Sequence, residues 1–354
     1  MKLIHCADLH LDSPMESNLS SEKARERKGE LRAALARMIR FAEENGVEAI
    51  LIAGDLFDSN HITKSTEKYV LELFSAHPSI RFFYLAGNHD RGTALQSADP
   101  CPDNLYFFDQ GWTSYDLGEA VITGSEAPDE DTLNLSPDRL NILLLHGQET
   151  RGGGAKREDV IRFGRLKGKH VDYVALGHIH EYRCARIDER CIACYSGCPE
   201  GRGFDECGTK GFVLLETDGK QITHRFIPNA TRELHTVTCD VSDVCSQLVL
   251  EERVTKLTAH LPAKDMVKLV LCGTTSEAAV FDLVRLRGML TEQFYFAKIK
   301  DESRLLIRPE DYRNDVSLKG EFVRRVMASD LKDNEKERVI ACGLRALAGE
   351  ELGL

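Results

Sequence analysis

Long apolar runs are missing from this 354-residue sequence. None approaches the roughly 20 residues that a membrane-spanning helix needs, so no membrane partner is expected. An excess of basic residues is missing too. Lys and Arg number 46 against 57 Asp and Glu, and the net charge of −11 argues against a surface coated in positive charge, though not against a local basic groove. The start, MKLIHCADLH, has one lysine and a short apolar stretch cut off by Asp8, so a secretory signal is not expected and a cytoplasmic location is. Internal repeats and low-complexity tracts are absent as well. Cysteine is not scarce, but its eleven copies are an odd number scattered from Cys6 to Cys342, which reads as reduced thiols in a cytosolic protein. What is present, 42% apolar and 29% charged residues, is the make-up of an ordinary globular chain, and the length suggests two or three domains.

The first 230 residues alternate short apolar runs with helical rhythms, the pattern of an α/β domain. KLIHC (2–6), AILIA (49–53), FFYLA (82–86), ILLL (142–145) and YVAL (173–176) read as strands, apolar on consecutive positions and so covered on both faces. Residues 21–44 repeat apolar side chains at Leu31, Leu35, Met38, Ile39 and Ala42, a helix opened by Ser20 or Ser21 and closed by Asn45-Gly46. A second helix is expected over 63–76, and shorter strands with turns over 105–124 and 182–226. After Pro228 the character changes. Residues 232–306 suggest a small α/β unit with strands near 234–240, 255–261 and 293–299 and helices near 241–252 and 277–290; beyond 316 come two charged helical segments. The expected domains are therefore 1–230, 231–312 and 313–354.

The five long strands all end in residues of metal-ligand type: ADLH (7–10), GDLFD (54–58), GNHD (87–90), HG (146–147) and GHIH (177–180). In α/β sheets, sites assemble beyond the carboxyl ends of strands, where loops converge. One strand-end Asp or His is ordinarily a turn former or a cap. Five of them, offering Asp8, His10, Asp55, Asn88, His89, His146, His178 and His180, point to a shared site. On an extended backbone His178 and His180 would face the same side. Gly54, Gly87 and Gly177 suit a backbone crowded around an ion. Asp12 and the histidines at 5, 61, 77, 170, 224, 235 and 260 have no such setting and are left out.

In this order the motifs DLH, GDLFD, GNHD, HG and GHIH resemble those of the calcineurin-like metallophosphoesterases. The longer words IHCADLHLDSP, LIAGDLFDS, LAGNHD, LLLHGQ and DYVALGHIH are similar to the SbcD-type DNA repair nucleases and their YhaO-like relatives, as is YSGCPEGRGFDECGTKGF (195–212). The resemblance covers about residues 1–230. It implies a β-sandwich flanked by helices, followed by a small α/β cap and C-terminal helices. It implies two divalent metal ions, with Asp8, His10 and His180 on the first, Asn88, His146 and His178 on the second, and Asp55 bridging. Imidazole, carboxylate and amide donors without thiolate suit manganese, iron or zinc, and manganese is the family expectation. The resemblance makes His89 the acid that protonates the leaving oxygen, and Asp58 the carboxylate that steadies its imidazole.

The substrate is less legible. Seven basic residues lie within 151–169, among them Arg151, Lys156 and Arg157 beside a Gly152-Gly153-Gly154 run, and could hold a DNA backbone. A solvated helix face explains them equally well. The run Cys191-x-x-Cys194-x-x-x-Cys198, flanked by Cys184 and Cys207, is dense enough for zinc or redox chemistry, but the odd separation of Cys191 and Cys194 on one strand favours small buried thiols. At the C-terminus, Phe322, Val323, Val326 and Met327 form one apolar stripe and Val339, Ile340, Leu344 and Leu347 another. Such stripes either pack on their own domain or dock on a partner. The resemblance implies DNA and an SbcC-like coiled-coil ATPase as partners, and a homodimer is left open. The expected activity is phosphodiester hydrolysis by the subunit of a DNA exonuclease or endonuclease. A stand-alone phosphodiesterase or phosphatase acting on nucleotides or phosphoproteins is the alternative, and a binding module without activity fits poorly with a complete ligand set.

Overall fold

The computed structural model describes residues 1–15, 19–59, 61–92, 95, 98–150, 160–219, 221–275, 281–306 and 309–347. The chain divides into two compact units, Met1–Leu234 and His235–Leu354.

The first unit opens with β1 (Lys2–Cys6), α1 (Ser21–Glu44), β2 (Ala49–Ala53), α2 (Lys64–Ser75), β3 (Arg81–Leu85) and β4 (Leu105–Phe107). It continues through β5 (Thr113–Asp116), β6 (Ala120–Gly124), β7 (Leu140–His146), β8 (Gln148–Thr150), β9 (Val160–Arg162) and α3 (Phe163–Leu166). β10 (Tyr173–Gly177), β11 (Arg183–Arg186), β12 (Ile192–Tyr195), β13 (Gly211–Asp218) and β14 (Gln221–Pro228) complete it. Twelve of these strands form two six-stranded sheets, ordered β14-β13-β1-β2-β3-β4 and β11-β12-β10-β7-β6-β5, and β8 and β9 pair with each other. β1, β2 and β3 run parallel in the first, and β7 and β10 run parallel in the second.

Apolar side chains on consecutive positions serve two interiors. Leu3, Leu51 and Phe83 face across to Ile142, Leu144 and Ala175 of the other sheet, while Ile4, Ile52 and Phe82 on the opposite face meet α1 and α2. Helix α1 presents Leu31, Leu35, Met38 and Ile39 to that layer, is capped by Ser20 accepting from Lys23 N, and ends at Asn45. The outer face of the second sheet carries a third cluster, with Leu143, Val174 and Ala193 under Phe163 and Leu166 of α3. This is the β-sandwich with flanking helices that the sequence motifs imply.

The cysteine expectation needs correction at one pair. Cys184 and Cys194 face each other across the antiparallel β11–β12 register and are joined by a disulfide. Cys191 and Cys198 are free and buried. Cys191 and Cys194 do lie on opposite faces of β12's chain segment, one in the outer cluster and one between the sheets. Among the described residues no cysteine joins a cluster able to hold a metal.

The second unit contains β15 (Leu234–Asp240), α4 (Gln247–Thr258), β16 (Met266–Cys272), β17 (Thr274–Thr275), α5 (Leu283–Gln293), β18 (Phe296–Asp301) and β19 (Arg304–Leu305), then a 3-10 turn at Pro309–Tyr312, α6 (Leu318–Met327) and α7 (Asp333–Leu347). β15, β16 and β18 form one sheet. The strand expected over 255–261 is instead the end of α4 and the turn after it, and the middle strand is β16. Leu250, Val254 and Thr258 are buried at helical spacing, whereas Val267, Leu269 and Leu271 are buried at a spacing of two. The C-terminal stripes are split. Val323, Val326, Ile340 and Leu344 close a small core with Tyr312, while Leu318, Met327, Leu331, Val339 and Leu347 remain exposed. Gly343 permits this contact between α6 and α7, because a Cβ there would come within 2.1 Å of the Phe322 ring. Among the described residues no helix is long and apolar enough to cross a membrane.

Phe83 is 1% exposed and stacks on Tyr106 between the two sheets at 5.0 Å. Phe83→Ala is expected to destabilise the chain by about 3–5 kcal/mol. Urea unfolding followed by near-ultraviolet circular dichroism checks this, and a loss under about 1 kcal/mol would contradict the tightly packed interface between the sheets.

Candidate metal centre

The parallel alignment of β1, β2 and β3, and of β7 and β10, delivers five chain segments to common sheet edges. Beyond β1 and β2 the two loops run side by side: Asp8 N donates to Gly54 O at 3.0 Å, His10 N to Asp55 O at 3.0 Å and Leu11 N to Leu56 O at 2.9 Å. Holding them so tightly forces unusual backbone. Asp8, His10, Asp55 and His178 have φ of 55°, 45°, 51° and 96°, the left-handed region that non-glycine residues seldom occupy. Strain of this kind collects at functional sites, where the surroundings over-determine the conformation. The three strand-end glycines meet the same crowding. A Cβ would lie 2.2 Å from His146 Nδ1 at Gly54, 2.1 Å from Asp55 Oδ1 at Gly87 and 1.9 Å from Ala53 O at Gly177. Buried Asp90 staples two loops, accepting from Gly87 N at 2.6 Å and Phe57 N at 3.2 Å.

The donor atoms fall into two groups. In one, His10 Nε2 and His180 Nε2 are 3.2 Å apart, and Asp8 Oδ1 is 3.8 Å from His180 Nε2. In the other, Asn88 Oδ1 lies 2.9 Å from His146 Nε2 and 3.1 Å from His178 Nδ1. Asp55 Oδ2 reaches both, 3.8 Å from His10 Nε2 and 3.4 Å from His146 Nε2. Asp8, His10 and His180 each offer one ligand atom within 4.8 Å of the others, as do Asp8, Asp55 and His146. The structure thus gathers all seven residues expected as ligands.

The carboxylates are deeply placed, Asp8 being 1% and Asp55 2% exposed. Burial pushes the Asp8 carboxyl up to about 6, against the lowering influence of His146 and His180. Burial pushes Asp55 up as well, but the His146 contact and the His89 backbone N–H overcome it and hold the carboxyl down at about 2. His146 shows the converse: burial disfavours its charge, yet Asp55 and Asp8 raise it to about 9. Burial lowers His10. The buried carboxylates therefore attract positive charge, from protons or from a cation that would compete with them. Two facing imidazole nitrogens, buried carboxylates and an amide oxygen form a donor set that fits divalent transition metals.

His89 sits at the rim. Its backbone N donates to Asp55 Oδ1 at 3.0 Å, and its ring stands edge-on to His10 with centroids 5.0 Å apart. His89 Nδ1 meets the Asp58 carbonyl oxygen at 3.0 Å, and an Asp58 carboxylate oxygen, a His10 nitrogen and a His89 ring nitrogen lie within 4.8 Å of one another. The same carboxylate lies 2.7 Å from Arg202 Nη1 and 3.1 Å from His10 Nδ1. Arg202 and Glu206 are functional candidates that the sequence motifs did not single out. They lie in the stretch 195–212, where an Arg-Glu pair four apart in a glycine-rich turn was the available signal. His180 Nδ1 pairs with Glu206 Oε1 at 2.6 Å.

Arg151, Lys156 and Arg157 lie outside the described residues. Three other members of the basic segment have local partners. Arg162 pairs with Glu130 at 3.6 Å, Arg165 pairs with Asp131, and Lys169 Nζ donates to Asp131 O and Leu133 O.

Residues 1–182 match the family described as Calcineurin-like phosphoesterase. An uncharacterized metallophosphoesterase, YhaO of Bacillus subtilis, is 26% identical over 78% of this chain and 73% of its own. A subunit of the nuclease SbcCD of Escherichia coli is 24% identical over 99% of both chains. The DNA double-strand break repair protein Mre11 of Sulfurisphaera tokodaii is 27% identical over 70% of this chain and 67% of its own. With its motif residues converging on one strained, carboxylate-rich pocket, the chain belongs to the calcineurin-like phosphoesterases.

Proposed function

We propose that this protein is a two-metal-dependent phosphodiester hydrolase that cuts DNA, the nuclease subunit of an SbcCD-like assembly. The observation that carries the chemical part is the place of Asp55, whose Oδ2 stands 3.8 Å from His10 Nε2 and 3.4 Å from His146 Nε2, between two donor groups. In this reading Asp8, His10 and His180 hold one cation, Asn88, His146 and His178 a second, and Asp55 both. Divalent cations held by these residues, manganese by preference over iron or zinc, would supply Lewis acidity toward phosphate oxygens and toward the attacking water. The chain's own residues do the rest. Asp8 is kept in place by the His178 backbone N–H, which reaches its two oxygens at 2.9 Å and 3.1 Å. His89, as an imidazolium, would deliver a proton to the leaving oxygen: the Asp58 carbonyl keeps one hydrogen on Nδ1, so the second, on Nε2, is the transferable one, and the ring is left neutral.

Support for DNA comes from the relatives, a nuclease subunit that aligns along 99% of both chains and an archaeal double-strand break repair protein. The same nuclease is named for two components, which supports an SbcC-like ATPase as partner here. Exposed Leu318, Met327, Leu331, Val339 and Leu347 on and around α6 and α7 are the surface proposed for that partner, and residues 231–312 the part proposed to contact DNA.

A gel assay on linear duplex, single-stranded and hairpin DNA, beside a small phosphodiester and a phosphomonoester, tests the reading. Chelation is expected to abolish cleavage and manganese to restore it better than magnesium, since nitrogen ligands favour the softer ion. Equal rates in the two metals would count against this donor set, and cleavage of the phosphomonoester alone would favour a phosphatase.

His89→Ala is expected to keep both metals while lowering kcat by about two orders of magnitude or more. Asp55→Ala is expected to lose metal. Elemental analysis of both variants decides, because a His89→Ala protein emptied of metal would make His89 a ligand.

Met327→Glu combined with Leu331→Glu changes exposed side chains only. The double variant is expected to retain metal-dependent cleavage of a small phosphodiester and to lose co-purification with an SbcC-like ATPase. Undiminished co-purification would place the partner surface elsewhere.

A further inference from the structure

The turn at 200–206 brings charge to the back of the site. Glu206, 4% exposed, accepts from Arg202 Nη2 at 2.8 Å, Arg202 Nε at 3.1 Å and the Arg202 backbone N at 2.7 Å. The same carboxylate meets His180 Nδ1 at 2.6 Å. Arg202 Nη1 donates to Asp58 Oδ1 at 2.7 Å. That oxygen lies 3.1 Å from buried His10 Nδ1, close enough for its charge to attract a hydrogen there although the angle is not that of a hydrogen bond. One guanidinium therefore joins two carboxylates, and each carboxylate stands behind an imidazole whose Nε2 is 3.2 Å from the other's.

This arrangement decides where the ring hydrogens go. A carboxylate held ionised by Arg202 requires a donor from His180, so the hydrogen is on Nδ1 and Nε2 is bare. Arg202 Nη2 also approaches His180 Nδ1, at 3.3 Å, but the shorter carboxylate contact prevails. Asp58 favours the same tautomer in His10. The two Nε2 atoms are 3.2 Å apart, a hydrogen bond if one of them carries a hydrogen; with both hydrogens on Nδ1 the lone pairs repel one another, and a cation between them attracts both. The other donor group is built differently: His146 Nδ1 meets the neutral Ala53 carbonyl at 2.9 Å. Partners behind a ligating histidine set its tautomer and orientation and tune its basicity.

We propose that Arg202 is a positioning residue: it binds Glu206 and Asp58 into one anionic brace that aims the Nε2 atoms of His180 and His10 at a single cation shared with Asp8. The inference rests on the reading of Asp8, His10 and His180 as ligands of one metal. The brace is anchored from outside the site. Fully buried Arg27 of α1 donates to Glu200 Oε1 at 3.1 Å and to Gly201 O, fixing the start of the turn, and Lys210 Nζ donates to His180 O at 2.8 Å. Gly201 is needed there, since a Cβ would lie 2.8 Å from Leu234 Cδ1 and 3.0 Å from Glu206 O.

The test uses the metal-stripped full chain titrated with manganese alone, read by calorimetry and by the paramagnetic resonance of free manganese. Wild type is expected to take up two ions. Arg202→Met is expected to weaken one of the two by about 10–100-fold and leave the other within about twofold. Arg202→Lys is expected to recover part of the loss, because an ammonium cannot reproduce the planar fork. Nitrogen-15 spectra of the histidine rings supply a second readout, with the hydrogen on Nδ1 of His10 and His180 in the metal-free wild type. Equal weakening of both sites, no weakening of either, or a wild-type His180 with its hydrogen on Nε2 would overturn the proposal. If Arg202→Met does not fold, the lysine variant and the wild-type spectra decide in its place. A wild-type chain that binds fewer than two ions would instead overturn the underlying two-metal reading, and this inference with it.

Discussion

Asp8 and Asp55 are carboxylates held almost out of water within reach of the same histidines, and the rest of the catalytic-face architecture follows from that placement. Desolvating a carboxylate costs several kcal/mol even after relaxation, so each must be surrounded by compensating positive charge and N–H groups. His178 N supplies two contacts to Asp8, His89 N one to Asp55, and His146 stands beside Asp55. Bringing these groups so close accounts for the positive φ of Asp8, His10, Asp55 and His178 and for the absence of side chains at 54, 87 and 177. The stacked sheets make this tolerable, because loops anchored on packed strands cannot relax away from the strain.

The two donor groups share Asp55 but rest on different supports. His146 leans on a backbone carbonyl, whereas His180 leans on an ionised carboxylate gripped by Arg202. Asp58 divides its functions between groups: its carbonyl holds His89 at the rim, and its side chain reaches His10 and Arg202. One residue thus couples the proposed acid to the proposed metal ligands, through backbone on one side and charge on the other. In the second unit the division is of another kind. The apolar stripes of α6 and α7 commit one half to a small core around Val323 and Ile340 and leave the other half at the surface.

Much of the fold was legible because each signal was local. The apolar runs at 49–53 and 142–145 announce strands covered on both faces, and α1 is written in the spacing of Leu31, Leu35 and Ile39. Residues 255–261 misled because Thr255 and Thr258 favour strands in isolation, while the burial of Leu250, Val254 and Thr258 together makes a helix. The Cys184–Cys194 bond depends on the β11–β12 register, which no local pattern reveals.

For the site, the sequence by itself determined which residues stand at the strand ends and, through their chemistry, that cations belong among them. Motif order, glycine placement and the mix of imidazole, carboxylate and amide were enough for that. Only the tertiary structure decided how those residues are braced. Arg202 meets Asp58 across 144 positions and Glu206 meets His180 across 26, so neither pairing leaves a trace in local spacing. It also decided that the Asp58 carboxylate pairs with Arg202 while its carbonyl meets His89, since the direction of a side chain is set by the charges around it after folding and not by its neighbours along the chain.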